Sequence, residues 1–381
     1  MNNKKIGIIT FHFSKNYGSA LQCYALYKLL SLHGYNVEVI DYCPSYHAMA
    51  YNTYNSFAVY FENRDGRSIP FILLKAIVKN IEGFFDVEKR NKNKKFNKFI
   101  RENIKLSNHY THVKDIEDSY DSYISGSDQI WNYKCVKDKE FGGCYDKAYF
   151  LAFAKDKKKI SYAASAQHGE LRLDLDNRVL DLLKDYDYIS TREDALTNTV
   201  KRLGINEAVT VLDPTLILDK QYYEEVEVQL DLEENYILVY NLPGTNSEML
   251  MCIAKRMSEQ SGCKIIDISP NPYSELDSNK IKKCGPAEFL AYIHKAKYVL
   301  TDSFHAVAFS IIYNKQFNCV LRDNNDERIK NILSLSGLLD RLLLSTDDQI
   351  DTGLINYDLV SENMRQAKES SLKFLWHSLE N

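Results

Sequence analysis

Apolar and polar residues alternate along this chain in blocks whose lengths suit strands and helices in turn. Residues 6–10 form an apolar run of strand length, and Asn16-Tyr17-Gly18 reads as a turn. Residues 20–32 carry apolar side chains at helical spacing, and Gly34 stands where a C-cap glycine would. Residues 37–40 read as a second strand ending at Asp41. A β-loop-α-β unit of this kind starts a parallel, helix-covered sheet. The pattern resumes after residue 120: 120–125, 159–164 and 186–190 read as strands. Each ends in a polar loop, the first being GSDQIWN at 126–132 and the last Thr191 to Asp194 opening a helix.

A boundary falls near 205–214, where a strand in VTVLDPTLIL ends at Asp213-Pro214; the proline predicts an extended turn. A second α/β set follows, with strands at 236–240, 264–268, 298–300 and 319–321 and helices at 249–260, 286–296, 304–313 and 329–336. Residues 360–381 read as a last amphipathic helix. The expected domains are 1–208, an N-terminal α/β domain; 209–352, a C-terminal α/β domain; and a helical segment, 353–381. The fold class is α/β, two Rossmann-like domains facing across a cleft, a GT-B-like plan.

Residues 67–105 break the alternation. Basic residues outnumber acidic ones there, and Phe71, Ile72, Leu73, Ile77, Ile81, Phe84 and Phe85 form an apolar stripe. Two readings stand: a solvated helix packed on the body, or an arm touching an anionic membrane surface or a lipid-linked substrate.

Composition narrows the class. At 381 residues the chain is too long for one ordinary core, and its 45% hydrophobic and 26% charged residues are ordinary for a soluble protein. The net charge of −4 gives no global pull toward nucleic acid. The eight cysteines show no CxxC pair or zinc spacing, so no metal site is expected. The start reads as a strand and not as a signal peptide, and no apolar run approaches bilayer length, so a cytoplasmic location is expected. No phosphate loop, dinucleotide fingerprint, nucleophile elbow or DxD pair at a strand end appears.

What remains are polar groups at strand ends. His305 falls in the first turn of a helix after a strand, where free backbone N–H groups suit an anion; the alternative is a histidine that only packs the turn. Gly126, Ser127, Asp128 and Gln129 follow a strand directly, as binding groups or as a capping box for a following helix. Asn16, Tyr17 and Gly18 allow close backbone approach to a ligand or serve as a plain connector. Arg192 at a helix start implies an anion nearby or a salt bridge with Glu193 or Asp194. Arg322 and Arg328 flank an acidic turn, and local pairing of Arg322 with Asp323, Asp326 or Glu327 is the other reading.

Four stretches together resemble the polysaccharide pyruvyl transferase family: TFHFSKNYGSALQCYAL (10–26), YISGSDQIWN (123–132), STRED (190–194) with VLDPTLIL (211–218), and TDSFHAVAFSIIYNKQF (301–317). The resemblance implies a GT-B-like fold. It also implies transfer of the enolpyruvyl part of phosphoenolpyruvate onto a sugar of a capsular or cell-surface glycan precursor, giving a pyruvate ketal and phosphate. No cofactor is implied beyond phosphoenolpyruvate as donor substrate. His305 matches the family's histidine, Arg192 its arginine at the end of the first domain, and Arg328 the basic residue after the last strand. Many members have arginine and leucine before that histidine, where this chain has Ser303 and Phe304; a phosphate or carboxylate contact is then lost or moved to Arg322.

On this resemblance His305 and Asp128 are the expected catalytic groups. Arg192, Arg328, Ser303 and Arg322 are expected on the donor, and Asn16, Tyr17, Gly18, Gly126, Ser127 and Gln129 on the acceptor. The acceptor is expected to be a glycan carried on a polyprenyl diphosphate, with the arm in peripheral contact at the inner face of the membrane and no nucleic-acid partner. The competing expectation is a GT-B glycosyltransferase using a nucleotide sugar, for which Glu327 is the one candidate nucleotide-binding carboxylate. A non-catalytic sugar-binding protein is a third.

Overall fold

The computed structural model describes residues 4–136, 145–171, 177–232, 235–242, 247–270, 284–321, 327–348, 350 and 353–381. The chain divides into two compact units, Met1–Pro214 with Phe374–Asn381, and Thr215–Lys373. The division falls after Pro214 and not after 208. Segment 353–381 is not a body of its own, since its residues up to Lys373 group with the second unit and the rest with the first.

The first unit is built on a seven-stranded sheet: β1 (Lys5–Ile9), β2 (Asn36–Tyr42), β3 (Leu106–Tyr110), β4 (Ser122–Ser125), β5 (Lys158–Ala164), β6 (Tyr188–Thr191) and β7 (Val209–Thr210). Their order is β3-β2-β1-β4-β5-β6-β7, and every pairing is parallel. Ile6, Ile8 and Ile9 are fully buried, as expected of a central strand covered on both faces. Helix α1 (Tyr17–Leu32) covers the sheet after β1, and α2 (Ser45–Tyr51) and α3 (Phe57–Glu62) follow β2. The basic segment forms α4 (Ile69–Phe85) and α5 (Val87–Asn103), then α6 (Arg178–Lys184) and α7 (Asp194–Arg202) flank the later strands.

The packed reading of the basic segment holds for its inner face. Phe96 of α5 stacks on Tyr17 at 5.4 Å, and Phe99 meets Tyr24 edge-on, so α5 packs on the body. Ile72 and Ala76 of α4 bury against Tyr60. A Cβ at Gly83 would lie 2.1 Å from the Thr53 carbonyl oxygen, so only glycine lets α4 approach that closely. The opposite face of α4 is exposed.

Pro214 does not extend the chain as expected. It opens a short helix, α8 (Pro214–Ile217), where the missing N–H costs nothing because a first-turn N–H has no intrahelical partner. After α9 (Lys220–Glu224) the second unit builds a five-stranded sheet from β8 (Tyr236–Tyr240), β9 (Lys264–Asp267), β10 (Tyr298–Thr301), β11 (Gln316–Val320) and β12 (Leu342–Leu343). The order is β12-β11-β10-β8-β9, again all parallel. Helices α10 (Ser247–Ser261), α11 (Pro286–Lys295), α12 (Phe304–Ile312) and α13 (Glu327–Ser336) alternate with the strands, and α14 (Tyr357–Glu380) closes the chain. Among the described residues no helix is long and apolar enough to cross a membrane.

Candidate active site on two sheet edges

Strand order singles out one crevice in each sheet. In an open α/β sheet, ligands bind beyond the carboxyl ends of the strands where the order reverses. In the first unit that point lies between β1 and β4; in the second it lies between β8 and β10. The loop 10–16 and the start of α1 stand beside Gly126–Gln129 at the first point. Asn241 and Leu242 stand beside Asp302, Ser303 and His305 at the second.

At the first edge the polar groups are tied to one another. Asn16 caps α1: its Oδ1 accepts from Gly18 N at 2.9 Å and Ser19 N at 3.3 Å. Ser19 Oγ donates to Asp128 Oδ2, joining the two loops across the switch point. Asp128 holds a positive φ of 83°, and its Oδ1 accepts from Gln129 N at 2.8 Å. A carboxylate side chain tolerates that backbone by bonding locally. Thr10 Oγ1 donates to the Ser127 carbonyl at 2.8 Å and accepts from Gln22 Nε2 at 2.9 Å. A Cβ on Gly126 would lie 3.2 Å from Thr10 Cβ, so the glycine sets how closely the β4 loop approaches β1. No helix follows Gln129 directly, so the capping-box reading fails; the next turns are short, and Gln129 Oε1 accepts from Asn132 Nδ2 at 2.7 Å.

Tyr17 does not present its ring to this edge. It is 3% exposed, because Phe96 covers it. Ser127 is buried too, and its Oγ donates to Asp213 Oδ2 at 2.9 Å. The same oxygen accepts from Arg192 Nη1 at 2.9 Å. Arg192 Nε donates to Glu193 Oε1 at 3.0 Å, Nη2 donates to Ser165 Oγ at 3.0 Å, and Ser165 Oγ donates to Glu193 Oε1 at 2.6 Å. One buried guanidinium thus holds the ends of β4, β5 and β6 and the segment before Pro214. Burial works against its charge, but Glu193, Asp213 and Asp128 outweigh that and push its pKa up. The salt bridge to Glu193 was one of the two expectations. The donor contact meets a physical obstacle, since two carboxylates already neutralise this charge.

Sequence reasoning missed a second cluster on the same edge. His12 Nε2 bonds Asp41 Oδ1 at 2.9 Å, and His109 Nδ1 bonds Asp41 Oδ2 at 3.1 Å. Burial would raise the Asp41 pKa, but hydrogen bonds from His109 and His12 win and lower it. The bond to Asp41 raises that of His109. Lys15 lies close by; burial lowers its pKa to about 8 against the pull of Cys43 and Asp41, and its Nζ donates to Asn97 Oδ1 at 2.7 Å. The only signal in the sequence was position: His12 and Lys15 follow β1, and Asp41 ends β2.

The second edge is arranged differently. Ser303 is the N-cap of α12 but makes no side-chain cap bond, and His305 lies half-buried in the first turn. Asp302 Oδ1 accepts from Leu242 N at 2.8 Å across the switch point, and Ser303 N donates to Thr301 Oγ1 at 3.0 Å. Asn241 N donates to Ser269 Oγ at 2.8 Å, and the ring of Phe304 meets His305 edge-on at 5.1 Å. Arg328, half-buried, lies in the first turn of α13, after β11 and therefore beside the β10 connection. Arg322 lies outside the described residues. Glu327 is exposed and pairs at 3.9 Å with Lys330. The structure thus brings His305, Ser303 and Arg328 to one sheet edge and Asn16, Gly126, Asp128 and Gln129 to the other.

Two parallel Rossmann-like sheets with these strand orders define a two-unit α/β protein of the GT-B type. A solved structure from Listeria monocytogenes, described as a candidate UDP-N-acetylglucosamine 2-epimerase, matches with a TM-score of 0.50 and 10% identity over 97% of this chain and 91% of that one. A UDP-GlcNAc 2-epimerase from Methanocaldococcus jannaschii, solved with UDP-GlcNAc and UDP, matches with a TM-score of 0.49 and 14% identity over 98% and 99%. No curated protein is significantly similar in sequence. Residues 16–324 match the family model for polysaccharide pyruvyl transferase, and the chain belongs to that family. It is therefore a member of a transferase family whose acceptor is a polysaccharide.

Proposed function

We propose that this protein transfers the enolpyruvyl group of phosphoenolpyruvate onto a sugar of a capsular or cell-surface glycan precursor, forming a pyruvate ketal and releasing phosphate. The observation that carries this reading is His305 in the first turn of α12, whose N-cap Ser303 makes no side-chain cap bond, at the switch point of the second sheet. Backbone N–H groups there suit a phosphate or carboxylate, and the imidazole beside them can carry a proton near neutral pH.

His305 delivers a proton to the methylene carbon of the enol, and positive character develops at C2. A sugar hydroxyl attacks C2, the C2–O bond to phosphate breaks, and a second hydroxyl closes the ketal. Of the two hydroxyl protons, one balances the new methyl group through His305 and the other leaves with phosphate. General acid–base help of this kind contributes about 10²–10⁴ in rate. Arg328, Ser303 and the first turn of α12 take the donor's anionic groups, with Arg322 after the same strand; an arginine fork suits both phosphate and carboxylate. Arg192 serves as a positioning residue, because its charge is spent on Glu193 and Asp213.

The acceptor lies against the first unit's switch point, where Asp128 accepts from a sugar hydroxyl or takes its proton, beside Gly126, Gln129 and the α1 turn. A glycan on a polyprenyl diphosphate at the inner face of the membrane fits the basic arm of the same unit. The test is phosphate release from phosphoenolpyruvate with synthetic galactosides or lipid-linked glycans, and the product mass. Release that depends on acceptor, with a product heavier by one ketal-linked pyruvate, supports the reading. Stabilisation against heat by a nucleotide sugar but not by phosphoenolpyruvate would overturn it in favour of a glycosyltransferase.

A further inference from the structure

The outward face of α4 is apolar where a soluble helix is normally polar. Its buried stripe runs through Ile72, Ala76 and Gly83. At about 100° per residue, Leu73, Leu74, Ile77, Val78, Ile81, Phe84, Phe85 and Phe71 fill an arc of roughly 160° on the other side. Leu74 is 63% exposed and Phe85 72%. With Tyr54 and Phe57 the arc continues into an open groove of about 450 Å³.

Cations bracket this face. Arg67 lies over the Phe71 ring at 5.5 Å at one end, and Arg90 over the Phe84 ring at 5.3 Å at the other. Lys75 lies on one flank of the arc with Lys79, which pairs with Glu82 at 2.7 Å. The helix has 17 residues, about 25 Å, and is not long and apolar enough to span a bilayer.

We infer that α4 lies in the plane of a bilayer rich in anionic lipid, its apolar arc among the acyl chains and Arg67 and Arg90 at the headgroups. Charge selects this occupant. A chain of net charge −4 presents a locally basic apolar face, which complements anionic headgroups. A second copy would instead bring two basic arms together. The inference does not depend on the pyruvyl-transfer reading, because activity on a soluble acceptor is measured separately.

The test is sedimentation of the full chain with vesicles of phosphatidylcholine alone or mixed with phosphatidylglycerol, at low and high salt. The wild type should favour the anionic vesicles and release with salt. Leu74→Glu with Phe85→Glu, both at exposed positions, should weaken binding by roughly a hundredfold while the melting temperature and any turnover on soluble acceptor stay unchanged. Arg67→Gln with Arg90→Gln should cost about thirtyfold on anionic vesicles and little on neutral ones. Failure of the wild type to bind anionic vesicles at low salt overturns the inference, as does binding that survives the paired glutamates. A dimer in light scattering that the glutamates dissociate, without vesicle binding, would assign the face to a second copy instead.

Discussion

The two sheet edges carry similar kinds of residue and use them in opposite ways. At the first unit's edge, Asn16 spends its side chain capping α1, Asp128 is bound to Ser19, and Arg192 is locked between Asp213 and Glu193. At the second, Ser303 makes no side-chain cap bond to α12, and His305 is half-buried in a first turn whose other residues are buried. A buried ion network costs desolvation and gives back geometry, so the first edge reads as a frame. A helix N-terminus carries partial positive charge beside His305, so the second reads as a receptor for charge.

The strongest way to break that contrast is to empty each edge of its key residue. His305→Ala should lower turnover by about 10²–10⁴ and leave the melting temperature close to wild type. Wild-type turnover in this variant would remove His305 from the chemistry. Arg192→Ala should act the other way round. It leaves two buried carboxylates without their cation and should cost about 3–5 kcal/mol in denaturant unfolding. If Arg192→Ala unfolds like wild type but raises the phosphoenolpyruvate KM, the guanidinium is a donor ligand after all, and the frame reading of the first edge fails.

The two N-caps sharpen the comparison at smaller cost. Asn16→Ala removes a cap that accepts from two backbone N–H groups and should cost about 1 kcal/mol. Ser303→Ala removes no cap bond and should stay within about 0.5 kcal/mol of wild type. Its effect should appear instead as weaker protection against heat by phosphoenolpyruvate. Equal stability losses in the two variants would mean that the two helix ends do not differ in the way the hydrogen bonds indicate.

The central strands of both units were legible because each is an apolar run that stops at a polar turn; 236–240 and 298–300 lie within the observed strands β8 and β10. The edge strand β3, LSNHY, was not, since a half-exposed strand has no apolar alternation to announce it. Loop chemistry was legible as a set of polar strand ends, and partnership was not. Ser19 and Asp128 are 109 residues apart, and Asp213 reaches Arg192 only because β6 and β7 pair side by side. Position within the sequence said that Arg192 needs an anion. Only strand order says that the anion is the protein's own.

The smallest effect concerns the cluster on the outer flank of the first edge. Asp41 lies between His12 and His109, with its pKa lowered and that of His109 raised. A lowered carboxylate adds stability that is whole above its unfolded value, near 3.9, and is lost as pH falls through the folded one. A raised histidine adds stability that is whole below about 6.5 and is lost as pH rises through the folded value. The bond between them is therefore worth most from about pH 4 to 6.5. His109 is more than half exposed, which holds its contribution under about 1 kcal/mol. Urea unfolding of His109→Ala should show its largest deficit against wild type inside that window, and the two curves should converge as pH rises past the raised His109 value. A deficit that persists unchanged at pH 9 would mean that the imidazole acts by packing, and that this flank of the first edge carries no charge-dependent bond.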